Sequence, residues 1–105
     1  MSNPFDMNNL GSMMQGLQQN MMRIKAEAEA AEVEGSAGGG LVTVVATGGQ
    51  QVLSVRISPA AMDDREMLED LIVAATNNAL TKGKELMAQK LSALTGGLPL
   101  PPGLL

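Results

Sequence analysis

Lysine and arginine are the side chains here whose chemistry is easiest to name, because an ammonium or a guanidinium neutralises phosphate. There are seven: Arg23 and Lys25, then Arg56 and Arg65, then Lys82, Lys84 and Lys90 towards the end of the chain. Against 11 aspartates and glutamates they leave a formal net charge of −4, so the chain as a whole does not attract polyanions. Any such binding has to come from where the charges stand. On composition alone the seven read as ordinary surface charge. If the chain pairs about a two-fold axis, each cation appears twice, and helix ends can present paired basic tips while the acids collect elsewhere.

Other clusters have simpler readings. Asp63, Asp64, Glu66, Glu69 and Asp70 have the oxygen chemistry of a magnesium site, yet acids in a first helical turn complement the dipole, and later ones fit a solvated face. Gly35, Gly38, Gly39 and Gly40 run into a strand pattern, whereas a phosphate loop needs Gly-Lys-Ser/Thr running into a helix, so they read as a turn. Met14 and Met21 fall at core spacing, and Met13 and Met22 lie off it as candidates for a second contact.

Cysteine, histidine, tryptophan and tyrosine are absent, which excludes disulfides, thiolate or imidazole metal sites and Cys-His or Ser-His nucleophiles. Phe5 is the single aromatic residue, too few for a platform that stacks unpaired bases. No spacing pairs the remaining Asp, Glu, Lys, Ser or Thr residues in an evident cleft. We therefore expect no enzyme, no metal, no cofactor and no small-molecule substrate.

The elements that hold the cations follow from periodicity. The length of 105 residues suits one domain. Met7, Leu10, Met14, Leu17, Met21, Ile24, Ala28 and Ala31 recur in steps of three and four, a heptad seam that predicts a helix over about residues 6–33. Such a helix is on the order of 40 Å long, more than the rest of the chain can cover. A second copy is the simplest cover, with Leu10, Met14, Leu17, Met21 and Ile24 as the expected dimer contact.

Alternation of Val42, Val44, Leu53, Val55 and Ile57 with polar residues predicts strands at about 41–47 and 50–57, and Val33 to Ser36 adds a third. Gly48-Gly49 suits a two-residue primed turn, which would set Val44 opposite Leu53, Val42 opposite Val55 and Val45 opposite Val52. Asp63 with Glu66 has capping-box spacing for a helix over about 63–94, with Gly83 inside it as a weak point or a close-packing point. Residues 95–105 are rich in proline and should be extended. The expected class is α+β: a long first helix, a short antiparallel meander, a long last helix and a Pro-rich tail, assembled as an intertwined homodimer. Met1 to Asp6 has no signal-peptide pattern and no apolar run spans a bilayer, so we expect a soluble cytoplasmic protein with no membrane partner.

Several strings then line up in order: Gly40-Leu41-Val42, Ile57-Ser58-Pro59, the run Asp63-Asp64-Arg65-Glu66-Met67-Leu68-Glu69-Asp70-Leu71, and Leu100-Pro101-Pro102-Gly103. Together they resemble the YbaB/EbfC family of bacterial nucleoid-associated proteins, from about Leu10 to Gly103. The resemblance implies a homodimer whose paired helices reach around double-stranded DNA like tweezers, organising the nucleoid and modulating gene expression. It implies DNA contacts at Arg23, Lys82 and Lys90, with Lys25 and Lys84 basic here in addition. Ser12, Asn20, Thr81 and Ala88 stand where relatives often carry lysine or arginine. The helix-turn-helix pattern is missing, so phosphate and shape contacts should dominate over base reading. The rival reading is a protein-interaction module built on the Met-rich helix and the Pro-rich tail.

Overall fold

The computed structural model describes residues 7–94. Helix α1 (Met7–Ala30) leads after one residue into strand β1 (Glu32–Ala37), followed by β2 (Val42–Thr47), β3 (Val52–Ile57), a 3-10 turn at Pro59–Ala61 and helix α2 (Arg65–Leu94). The strands form one antiparallel sheet in the order β1-β2-β3, so the class is the expected α+β meander between two helices. The Pro-rich tail expected at 95–105 lies outside the described residues.

Helix α1 stops at Ala30, short of the expected 33, because the β2–β3 turn takes over its last carbonyls. The amides of Gly48 and Gly49 donate to the carbonyls of Ala31 and Glu29, 3.0 Å in each case, satisfying acceptors that a helix end leaves open. Only glycine allows this approach. A Cβ on Gly48 would collide with the Ala28 carbonyl oxygen.

That contact corrects the expected hairpin. Gly48 and Gly49 are not a primed two-residue turn; the positive φ of this loop falls on Gln50, at 67°, and the Thr47 amide donates to the Gln51 carbonyl across a three-residue loop. The strands therefore pair Val42 with Ile57, Val44 with Val55 and Val45 with Ser54, and Val52 faces Ala46. The register shifts between Val45 and Ala46, leaving Leu53 as the extra residue of a bulge. The slip from the expected register at Val44 is two residues, an even number, so Val42 and Val44 keep their inward face.

Helix α2 begins on Asp64 rather than on the expected Asp63. The Asp64 Oδ1 accepts from the Met67 amide at 3.1 Å, the bond an N-cap makes to the third helical residue. The helix lies antiparallel across β1 and β2 on a stripe of small residues. Gly35 meets it at Ala75 and Ala79, and Gly83 meets the Thr47 carbonyl, so Gly83 is a close-packing point. Val42, Val44, Ala46, Ala75 and Ala79 are wholly buried, with Leu68, Leu71, Ile72 and Leu80 packed against them. Val42 and Val44 are the largest side chains fully inside. A buried valine contributes roughly 1.5–3 kcal/mol, which makes this a thin core.

Candidate nucleic-acid interface

Past the sheet, α1 and α2 run side by side as an antiparallel arm. Its root is fixed where Gly48 touches both Ala28 and Gly83, and from there Ile24 on α1 and Leu86, Met87 and Leu91 on α2 are half-buried between the helices. The molecule is correspondingly long, 75 × 23 × 18 Å.

Four of the five candidate cations stand on this arm: Arg23 and Lys25 on α1, Lys84 and Lys90 on α2. At 1.5 Å per residue from the root, all four fall within about 11 Å of one another's level along the axis. They do not share a face. Arg23 and Lys25 are two residues apart, which turns them about 200° from each other around α1. The Arg23 guanidinium donates to the Asn20 side-chain oxygen at 2.6 Å, over a shallow recess shared with Gly16 and Gln19. Lys84 is exposed, whereas Lys90 is half-buried beside Leu91, its stem on apolar surface and its charge free to reach water.

Lys82 is elsewhere. Its Nζ donates to the Glu34 carbonyl at 3.0 Å, on the outer edge of β1. Four residues earlier Asn78 donates to the Ser36 carbonyl at 3.1 Å. Sequence reasoning did not single out Asn78, although its spacing from Lys82 places both along one flank of the Ala75, Ala79, Gly83 stripe. Arg56 lies exposed on β3, and Arg65 is engaged by Glu69 at 3.0 Å.

The charges are sorted along the molecule. The arm's four cations are accompanied by Glu27, Glu29 and Glu85, while Asp63, Asp64, Glu66, Glu69 and Asp70 gather at the other end of α2. Asp64 to Lys84 is twenty residues, about 30 Å along the helix, three times the roughly 10 Å over which salt screens exposed charge. No group of three or more acids that could hold a metal occurs among the described residues.

Apolar surface is the other open feature. Leu10, Met14, Leu17 and Met21 are exposed along α1, Leu17 by 62%, and Met13 and Met22 are exposed beside them. Val52, Leu53 and Val55 of β3 are also exposed, because α2 covers β1 and β2 and leaves β3 bare. No described helix is long and apolar enough to cross a membrane.

A thin α+β core, an arm bearing cations away from an acidic pole, and open apolar faces describe a protein that works by surface contact. The chain belongs to the YbaB/EbfC DNA-binding family, whose model matches residues 2–98. It is 47% identical over 106 residues to a nucleoid-associated protein of Dictyoglomus turgidum, covering 99% of both chains. It is 46% identical over 101 residues to a nucleoid-associated protein of Acetivibrio thermocellus, covering 94% of this chain and 89% of that one. The fold is shared with an uncharacterized protein of Helicobacter pylori whose crystal structure aligns at a TM-score of 0.65 and 20% identity, over 88% of this chain and 97% of that one.

Proposed function

We propose that this chain binds double-stranded DNA in the nucleoid as a homodimer, through phosphate contacts made by the helical arm. The family and the naming of its relatives support DNA as the partner. The observation that carries the assignment to the arm is the charge sorting: Arg23, Lys25, Lys84 and Lys90 stand about 30 Å from the acidic start of α2, so the net charge of −4 does not cancel them locally.

The homodimer is supported by what one chain leaves open. An apolar row from Leu10 to Met21 and the bare β3 residues Val52, Leu53 and Val55 are exposed beside a core with two large buried side chains. A second copy on these faces would set two arms on one duplex. The four cations point to several sides of each arm, which suits neutralising a curved polyanion and does not suit reading base edges. Titration of a labelled duplex at two salt concentrations tests the reading. Binding that weakens steeply with salt and tolerates sequence scrambling is expected; no binding at low salt would sink it.

A further inference from the structure

The two edges of the sheet are treated differently. On β2, the amide of Ser58 donates to the Leu41 carbonyl at 2.8 Å, which fixes Leu41, Thr43 and Val45 as the residues whose backbone faces β3. Val42, Val44 and Ala46 then face β1, paired with Ala37, Gly35 and Val33. Glu34 and Ser36 are left with both backbone groups pointing out of the sheet. An outward row of this kind is a template for another strand.

On β1 that row is occupied. Asn78 takes the Ser36 carbonyl at 3.1 Å and Lys82 takes the Glu34 carbonyl at 3.0 Å, two side chains one helical turn apart reaching around the edge. Both residues are exposed, so the bonds add little to the core. Glu32 and Glu34 are exposed on the same strand. A second β1 laid antiparallel on this edge would bring those carboxylates close to their counterparts, like charge against like. Among the described residues no side chain makes an equivalent bond to β3.

We propose that the outer edge of β1 is a docking edge for β1 of another copy of this chain, held shut by Asn78 and Lys82 and by the repulsion of Glu32 and Glu34. The guard keeps the assembly closed: sheets cannot add edge to edge while the two carbonyls are taken. Lys82 is then a guard of the sheet edge, and its charge is committed there before any phosphate is present. The inference stands on the monomer's sheet and does not depend on DNA binding or on the β3 face.

The test is the mass of the full chain by light scattering across a concentration series. Asn78→Ala with Lys82→Met removes both donors and keeps the lysine stem's bulk; it should form species at least twice the wild-type mass. Adding Glu34→Gln should lower the concentration at which they form by about tenfold. Asn77→Ala with Thr81→Ala, one position away on the same helix, should keep the wild-type mass. In the enlarged species the outward amides of Glu34 and Ser36 should become protected from hydrogen exchange. A guard variant that keeps the wild-type mass throughout would overturn the proposal. So would a variant that loses its helical signal, because that would make the two bonds part of what holds the fold.

Discussion

Gly35 of β1 rests directly on Ala79 of α2, so close that a Cβ on the glycine would collide with the helix backbone, standing 2.7 Å from the Ala75 carbonyl oxygen as well. The contact is backbone against backbone, with no flexible side chain to give way. Gly35→Ala should therefore separate strand from helix and destabilise the protein by about 3 kcal/mol, the upper range for overpacking. A urea melt measures it, and a loss below about 0.5 kcal/mol would show that α2 can slide.

Gln50 offers a reading in two parts. Its φ of 67° is a strained position for a residue other than glycine, yet its side-chain amide donates to the Leu80 carbonyl at 2.8 Å and ties the turn to α2. Gln50→Ala keeps the strain and loses the bond, and should cost about 1 kcal/mol. Gln50→Gly loses the bond but relieves the strain, so its melting midpoint should lie above that of the alanine variant. The reverse order would mean that the strain is not felt.

The heptad spacing made α1 legible, alternation made the strands legible, and the Asp63-Asp64 pair placed the start of α2 to within a residue. What the sequence did not display were contacts between elements distant along the chain. Gly48 and Gly49 look like turn glycines, and their actual requirement, contact with Ala28 and Glu29, exists only once α1 is folded against the turn. The bulge at Leu53 follows from that displaced loop. Lys82 looked like its neighbours Lys84 and Lys90 because charge carries no label, and its bond to Glu34 depends on how β1 aligns with α2, 48 residues apart in sequence.

The dimer proposal makes separable predictions for two residues of one seam. Leu17 is 62% exposed in the single chain and Ile24 is half-buried. Leu17→Asp should leave the monomer folded while weakening dimerisation by about 100-fold, the equivalent of about 3 kcal/mol. Ile24→Asp should lower the melting temperature whatever the assembly state, since the charge is pressed between the helices of one arm. Sedimentation and a thermal melt on both variants distinguish the cases. A wild-type monomer at micromolar concentration would refute the dimer.

Truncation after Gly97 should leave a cooperative melt. The removed segment, Leu98 to Leu105, carries three prolines and cannot extend a helix or a ladder. The midpoint should move by less than about 2 °C, within the shift expected from well under 1 kcal/mol for a domain of this size. Loss of cooperativity would instead make the tail a part of the folded unit.

The arm's cations predict a salt dependence. If a dimer sets about 4–6 of its arm charges against one duplex, log affinity should fall with log salt at a slope of about −4 to −5. Lys84→Glu with Lys90→Glu alters two arm positions per chain without touching the bond between Lys82 and Glu34. In a correctly folded dimer this variant should lose measurable affinity at low salt and flatten the slope by more than two units. Arg56→Glu, on the sheet and outside the arm, should change affinity less than threefold. If the arm variant binds as the wild type does and Arg56→Glu does not, the DNA surface is the sheet, and the sorting of charge along α2 serves solubility.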